Sequence, residues 1–366
     1  VKGNGTVNIT DNSYIYAKEY AVYLSDGTLS IKDSTIDRQN NSTHSTISVS
    51  SSNYTVDNSE IKGETNIALS ASYSSSVGTI KNHSKIYGRI SANGSLDILN
   101  STVSQTTRYT SGSLVSFEST NNSLNISDST FDRTYLSYST TCASGTFTSS
   151  SGRSIIYSKG NLTAERIQLH HSYAESNPCD MNYIKNTGTA TIDGLTIDNN
   201  DSVTINRTSA GIVNEGQMTI KNANVNLSRA VSYGIYTLGG ELTLLDSTVN
   251  ITGATSYGLY INDGDLTMGI PEPVDSPNYG TENADVSTTN PAITAIGTTS
   301  GIGVYKNLGR FKYYDGVITG STSAIPRDKI TTDVEHLYEP TFHTEANGND
   351  VCILTWMREL PNQPGN

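Results

Sequence analysis

The chain has 366 residues, a hydrophobic fraction of only 34%, 31 glycines and a formal net charge of −12. A compact globular protein of this length would carry more apolar residues, and nucleic-acid binding would need a basic face that this acidic chain does not offer. No apolar run approaches the ~20 residues of a membrane-spanning helix, so no membrane insertion is expected in this segment.

A short phrase of alternating apolar and polar residues recurs along the chain. It opens at a Gly or Asn, continues through two alternating apolar residues and a polar step such as Asp-Ser-Thr, and ends on a second apolar pair. Its copies are GTLSIKDSTI from Gly27, GSLDILNSTV from Gly94, NSLNISDSTF from Asn122, GTATIDGLTI from Gly188, GQMTIKNANV from Gly216 and GELTLLDSTV from Gly240. The period of two predicts short half-buried strands. A disordered chain has a similar composition but does not place Leu, Ile and Val at fixed positions beside a recurrent glycine.

The spacing of the phrase predicts a solenoid. Gly188, Gly216, Gly240 and Gly264 follow one another at 28, 24 and 24 residues, which is about one turn of a parallel β-helix. The LxxLxLxxN frame of leucine-rich repeats is absent, propeller blades are longer, and the β-branched, glycine-interrupted pattern excludes helical repeats. We therefore predict an all-β fold, a single-stranded parallel β-helix of about twelve coils, right-handed as parallel connections usually are.

The repeat also predicts the organisation of the chain. Residues 1–323 are expected to form the β-helix, with irregular excursions near 136–151 and 269–299; the second holds prolines that cannot occupy central strands. Residues 324–366 are expected to form a small C-terminal β cap, because the end of a solenoid exposes unpaired strand edges. The chain enters the repeat almost directly at Val1, so we expect a processed product or an excised piece of a longer protein, with any secretion signal or anchor outside this segment.

Three segments carry a resemblance to a known group of proteins. They are YGIYTLGGELTLLDSTVNI (Tyr233–Ile251), YGLYINDGDLTMGI (Tyr257–Ile270) and DVSTTNPAITA (Asp285–Ala295). They are similar to the Gly/Ser/Thr/Asn-rich repeat regions of very large cell-surface proteins of gut Firmicutes, adhesin-like right-handed β-helices of the pectate-lyase superfold. The resemblance implies an extracellular or cell-surface location and a structural or adhesive role. Its motifs are structural and imply no particular activity.

An aromatic stripe is the first candidate site. Its members fall three or four residues before the start of a phrase and are Tyr23, Phe117, Tyr157, Tyr236, Tyr260 and Tyr305. Their alternation with aliphatic residues predicts that all of these rings point outward on one sheet. Such a stripe would bind a glycan or a protein surface. Alternatively, the rings form a ladder that only stabilises the parallel sheet.

Cysteine, histidine and acidic residues supply weaker candidates. Cys142 and Cys179 lie 37 residues apart, roughly one enlarged coil, so they are candidates for a disulfide between two loops, with two separate thiols as the alternative. The adjacent His170 and His171 would point to opposite faces of a strand and therefore cannot ligate one metal together. The acidic residues between 272 and 285 would either hold Ca²⁺ or remain solvated. No cofactor is predicted.

The expected function is an extracellular structural or adhesion module without catalytic activity. It would be a rigid stalk or filament element whose partners are a host or bacterial glycan or protein surface, or further copies of the chain. A polysaccharide lyase, hydrolase or tailspike-type depolymerase is the alternative on the same fold, although the outward positions show no coil-to-coil stack of acidic residues beside a basic one. A filament subunit that polymerises end to end is the second alternative.

Overall fold

The computed structural model of the protein describes residues 1–38, 44–107, 112–135, 154–173, 181–199, 208–271, 275–277, 290–329 and 338–356. All 29 strands within these residues belong to one sheet, which winds into a β-solenoid of about ten turns. The predicted all-β solenoid is confirmed, and the number of turns is close to the number expected from the phrases. The only helical element in the described residues is the short 3-10 helix Arg327–Lys329.

The strands of the first half are β1 (Lys2–Ile9), β2 (Tyr14–Ala17), β3 (Val22–Lys32), β4 (Thr35–Arg38), β5 (Ile47–Val49), β6 (Ser52–Asp57), β7 (Glu60–Ala71), β8 (Val77–Lys81), β9 (Lys85–Ala92), β10 (Ser95–Leu99), β11 (Thr102–Thr107), β12 (Val115–Phe117), β13 (Ser123–Ser127), β14 (Thr130–Tyr135) and β15 (Ser154–Ser158). The remaining strands are β16 (Asn161–Tyr173), β17 (Met181–Asn186), β18 (Thr189–Asn199), β19 (Thr208–Asn214), β20 (Gln217–Lys221), β21 (Asn224–Thr237), β22 (Glu241–Leu245), β23 (Thr248–Ile261), β24 (Asp265–Met268), β25 (Ala292–Lys306), β26 (Arg310–Tyr313), β27 (Val317–Gly320), β28 (Tyr338–Thr344) and β29 (Asp350–Trp356).

Each coil contributes to three faces of the solenoid, and equivalent strands of successive coils pair in parallel. Face 1 is formed by the strand that opens each phrase, for example β20, β22 and β24. Face 2 follows it and includes β11, β14 and the first parts of β21, β23 and β25. Face 3 precedes the next phrase and includes β12, β15, β17, β19 and the last parts of β21, β23 and β25. Long strands such as β23 pass from face 2 to face 3 without a break.

The core consists of the apolar residues that point inward from each face. On face 1, Leu242 lies between Met218 and Leu266 of the neighbouring coils, and all three side chains are buried. The intervening Thr243 points to the outside and is partly exposed. Burying one such Leu contributes roughly 1.5–3 kcal/mol relative to exposure. The phrase therefore specifies the fold through a column of inward residues that every coil extends.

The polar step of the phrase forms the corner between faces 1 and 2. Asp33, Asn100 and Asp246 adopt left-handed backbone conformations with φ of 49°, 45° and 44°, which Asp and Asn tolerate better than most residues. The serine that follows points inward and bonds to the neighbouring coil: the Ser34 amide donates to Ser59 Oγ at 3.1 Å. The Asx-Ser pair thus fixes the corner and links one coil to the next.

The glycine that opens the phrase lies at the corner between faces 3 and 1. A Cβ atom on Gly240 would lie 2.0 Å from the carbonyl oxygen of Gly216 in the preceding coil, so no side chain fits there. Beside this corner, buried Asn186 donates from Nδ2 to Asn214 Oδ1 of the next coil at 2.9 Å. Close stacking of the coils therefore explains why glycine recurs at this position.

The described C-terminal residues end the parallel arrangement. Strands β28 and β29 form an antiparallel hairpin, and β29 pairs antiparallel with β27 on face 2. Asp350 anchors the hairpin, because its Oδ2 accepts from the Ala324 amide at 2.8 Å and its Oδ1 accepts from Arg327 Nη2 at 2.9 Å. The first predicted excursion, 136–151, lies outside the described residues, and so do residues 272–274 and 278–289 of the second. Regular structure resumes at Ala292 in β25.

Candidate functional site

One outward column of face 3 contains most of the predicted stripe. Strand register places these residues side by side in successive coils, in the order Tyr23, Ser48, Ser70, Ser91, Ser116, Tyr157, Lys185, Val213, Tyr236, Tyr260 and Tyr305. Four serines separate Tyr23 from Tyr157, and Lys185 and Val213 separate Tyr157 from Tyr236. The aromatic stripe is therefore not continuous, and three adjacent tyrosines occur only at Tyr236, Tyr260 and Tyr305.

Phe117 does not belong to this column, and its predicted outward direction is wrong. Its side chain is fully buried in the hydrophobic core, and the outward neighbour of Tyr157 is Ser116. The reason lies in the corner between faces 3 and 1. Phe117 is equivalent to Ser158, but it lies six positions before Ser123, whereas Ser158 lies three positions before the equivalent Asn161. The corner is longer by an odd number of residues, so a count back from the phrase selects Phe117 instead of the outward Ser116, and this shift of one residue reverses the side-chain direction.

Tyr157 lies in a part of face 3 whose outward side chains are also buried. Only 3% of Tyr157 is exposed, and every residue of β15 and β17 is buried. Within this region Lys185 forms an ion pair with Glu215 at 2.9 Å, and Lys159 Nζ lies 5.8 Å from the centre of the Tyr157 ring. This stretch is therefore packed interior rather than a binding surface.

Five tyrosines form a packed aromatic cluster at the C-terminal end of face 3. We call Tyr233, Tyr236, Tyr257, Tyr260 and Tyr305 the tyrosine plate. Rings in one column are nearly parallel, at 4.8 Å and 6° for Tyr236 and Tyr260 and 5.1 Å and 25° for Tyr260 and Tyr305. Rings of the two columns meet edge to face, at 5.2 Å and 88° for Tyr257 and Tyr260. Such contacts add about 0.5–1.5 kcal/mol each beyond the area that they bury.

The second column of the plate, Tyr233 and Tyr257, was missed by the alternation argument. Tyr236 follows Tyr233 by three positions, so regular alternation would point one side chain into the core and the other to the outside. In the structure Gly234 and Ile235 are both buried, and a Cβ atom on Gly234 would lie 2.3 Å from Val249 Cγ1 in the core. Two consecutive inward residues bring both tyrosines to the outside. The repeated Tyr-Gly-aliphatic-Tyr motif is the sequence signal that could have identified this column.

The plate is partly buried and carries no charged side chain. Tyr236 is 9% exposed, and the other four tyrosines are half-buried. Burial raises the pKa of Tyr233, Tyr236, Tyr257 and Tyr260, and the neighbouring phenols act in the same direction. The phenols of these four residues consequently stay neutral well above physiological pH, where each can both donate and accept hydrogen bonds.

Tyr23 occupies a separate position near the N-terminal end. Its ring meets Tyr20 edge to face at 5.3 Å, and Lys2 Nζ lies 5.6 Å from the ring centre. The four serines of its column separate it from the rest of the predicted stripe. It is therefore not part of the tyrosine plate.

A second polar arrangement lies on face 2. Asp132, His170 and Asp198 occupy equivalent outward positions in three successive coils, so two acidic residues flank a histidine on this face. The expectation that no acidic stack lies beside a basic residue is wrong on face 1, where Glu241, Asp265 and Arg310 are equivalent in three successive coils. His170 Nδ1 and Asp198 Oδ1 lie 2.6 Å apart, with side chains 32% and 41% exposed. The adjacent His171 points inward, and burial together with Arg229 and Arg133 lowers its pKa well below the usual value. Only His170 is accessible for chemistry at the surface.

The remaining sequence candidates do not form a site in the described residues. Cys142 and Cys179, and with them the predicted disulfide, lie outside these residues. Cys352 is a buried free thiol whose pKa is raised to about 12 by burial. Of the predicted acidic cluster only Asp275 is described. Within the described ranges, no three His, Cys, Asp or Glu side chains are placed to hold a metal ion.

Comparison with models of protein families, with curated proteins and with solved structures finds no match to this chain. In the part of the chain that the structure describes, no helix has the length and apolar character required to cross a membrane.

Proposed function

We propose that this chain is an extracellular structural and recognition module without catalytic activity, a rigid rod that presents the tyrosine plate to a partner. The solenoid supports the structural part of the proposal, because every coil is bonded to its neighbours along three faces. The acidic composition suits a soluble extracellular surface, and the resemblance to cell-surface repeat regions agrees with that location. A rigid rod, an acidic surface and a resemblance to cell-surface repeat regions are together typical of an adhesion protein.

The tyrosine plate is the observation that carries the recognition role. Between Tyr23 and Tyr236 the same outward column holds serines or buried side chains, whereas in the last coils Tyr260 and Tyr305 are large, partly exposed rings. The rings are fixed by mutual packing, so little side-chain entropy would be lost when a partner binds. Rigid aromatic side chains with polar hydroxyls are typical of binding surfaces.

A binding assay on whole cells tests this proposal. The fluorescently labelled protein is incubated with intact bacterial and epithelial cells, and bound fluorescence is measured by flow cytometry. The variant Tyr257→Ser/Tyr260→Ser should lose most of the binding. The matched control is Tyr16→Ser/Tyr73→Ser, which removes two tyrosines that are each 56% exposed and lie outside the plate. Equal binding by the native protein and the plate variant would refute the recognition role of the plate.

A polysaccharide-cleaving enzyme is the second candidate, and the stack on face 2 favours it. Asp132 and Asp198 are separated by two strand spacings, about 10 Å between Cα atoms, close to the roughly 6.5–9.5 Å between the carboxyl groups of inverting glycosidases. His170 lies between them and is oriented by Asp198. Incubation with pectins and bacterial glycans tests this candidate. New reducing ends that disappear in the Asp198→Asn variant would support it, and their absence with every glycan would eliminate it.

A further inference from the structure

We infer that the open part of the plate, formed by Tyr257, Tyr260 and Tyr305, binds a short stretch of a neutral, unbranched glycan that lies along the rod axis. This inference rests on the proposed recognition role of the plate and specifies the chemical class of its ligand. Tyr233 and Tyr236 form the more deeply packed edge of the plate, with Ala210, Val213 and Leu238 beside them. They serve as the support for the three open rings.

The size of the surface argues against a protein partner. The plate extends over three coils, which correspond to two strand spacings or about 10 Å along the rod, and it is only two columns wide. Each partner in a standard protein interface contributes about 800 Å². A surface of about 10 Å by 10 Å is far smaller than this, whereas it accommodates two or three sugar rings.

The chemistry of the plate fits an uncharged, hydroxyl-rich ligand. Sugar rings present apolar C–H groups and hydroxyl groups side by side, and tyrosine presents an apolar ring with a hydroxyl at its edge. The hydroxyls of Tyr257, Tyr260 and Tyr305 make no hydrogen bond to a described residue, and all three side chains are partly exposed. The neighbouring Asn262 and Asn307, which contact each other at 3.3 Å, add amide groups at the rim. A charged glycan would find no opposite charge on the plate itself.

The arrangement of the rings sets the direction of the ligand. Parallel rings whose centres lie 4.8 Å and 5.1 Å apart are further apart than the ~3.5–4.0 Å of direct carbon contact. These distances match one strand spacing, so each coil adds one ring to the row. Because the rings repeat from coil to coil, the apolar strip runs along the rod. An extended chain aligned with the axis would meet one ring after another.

Isothermal titration calorimetry with defined oligosaccharides tests the inference. The probes are a neutral β-1,4-linked gluco-oligosaccharide and an acidic oligogalacturonide of the same length. We expect the neutral probe to bind at least about tenfold more tightly than the acidic one. Tyr260→Ser should weaken binding of the neutral probe about tenfold. Tyr16→Ser should leave it unchanged, because Tyr16 lies on face 2 at the far end of the rod.

A conservative variant separates binding from folding. Tyr260→Phe keeps the ring and its packing, so it should fold normally and weaken binding only about two- to fivefold through the loss of one hydroxyl. No binding of the neutral probe, a preference for the acidic probe, or equal affinity of native protein and Tyr260→Ser would overturn the inference. If cell binding still depends on the plate, for example through a protein receptor, only the ligand class is wrong. If neither assay responds to the plate variants, the proposed function fails as well.

Discussion

The pairing of Tyr54 with Gly78 in the core of face 1 gives the sharpest prediction about stability. Their inward column is otherwise dominated by aliphatic residues, and Leu29 and Leu96 lie directly before and after this pair. Tyr54 is 2% exposed, and a Cβ atom on Gly78 would lie 2.0 Å from Cζ of the Tyr54 ring. The tyrosine therefore occupies the space that the missing side chain of Gly78 leaves in the next coil.

The variant Gly78→Ala should destabilise the protein by about 1–3 kcal/mol, which is the usual cost of forcing an additional carbon into a packed core. In an unstrained position, the same substitution would stabilise by about 0.4–1 kcal/mol, because alanine restricts the unfolded chain. The backbone of Gly78 does not have a positive φ, so the steric contact alone sets the sign. Replacing the tyrosine by leucine removes that contact. In a Tyr54→Leu background, Gly78→Ala should therefore become neutral or stabilising.

Urea unfolding followed by far-ultraviolet circular dichroism measures the four proteins of this double-mutant cycle. Hydrogen exchange of β6 and β8 amides supplements it, because repeat proteins do not always unfold in one step. The matched control is Gly239→Ala, where the nearest atom to the new Cβ would be Glu215 O at 3.9 Å. We expect a coupling energy of about 2 kcal/mol between positions 54 and 78. The reasoning is refuted if Gly78→Ala costs no more than Gly239→Ala, or costs the same in both backgrounds.

Three further predictions concern a buried hydroxyl, a buried thiol and the ion pair of the C-terminal hairpin. Thr237→Asn should stabilise the protein by about 1 kcal/mol. The Thr237 hydroxyl has no described hydrogen-bond partner, and an Asn side chain there would extend the row of amide hydrogen bonds from Asn214 to the next coil. If Thr237→Val raises the melting temperature equally, the new amide hydrogen bond is not the cause. Cys352, with its pKa raised to about 12 by burial, should resist alkylation at pH 8 until urea unfolds the chain, and peptide mass spectrometry would detect earlier modification. Burial opposes ionisation of Asp350, but hydrogen bonds led by that of Arg327 hold its pKa below the usual value. The contribution of ionised Asp350 to folded-state stability is fully present above the unfolded pKa of about 3.9, and it is lost as the pH falls through the lower pKa of the folded state. Arg327→Gln should thus accelerate hydrogen exchange of β29 at pH 7 and make little difference in strong acid, and equal effects at both pH values would contradict the ion-pair explanation.

The candidate site shows where sequence reasoning fails. Alternation correctly predicts that His170 and His171 point to opposite sides of their strand, because the strand is regular from Ile167 to His171. It misplaces Phe117, since the length of the corner after face 3 varies from coil to coil. It also overlooks Tyr257, because the inward glycine beside this residue interrupts the period of two. Both failures occur where backbone irregularity, rather than residue type, decides the direction of a side chain.

The sequence by itself determined the solenoid and its corners. The alternating apolar pairs, the Asx-Ser step and the recurrent glycine are local signals that recur in each coil. Because every coil carries the same signals, the sequence alone predicts that the coils stack into a solenoid. Only the tertiary structure decided which outward residues become neighbours. Asp132, His170 and Asp198 are far apart in sequence and meet because their coils stack in register, and the plate forms because Tyr236, Tyr260 and Tyr305 do the same. Register depends on the lengths of all the intervening corners, which no local pattern records.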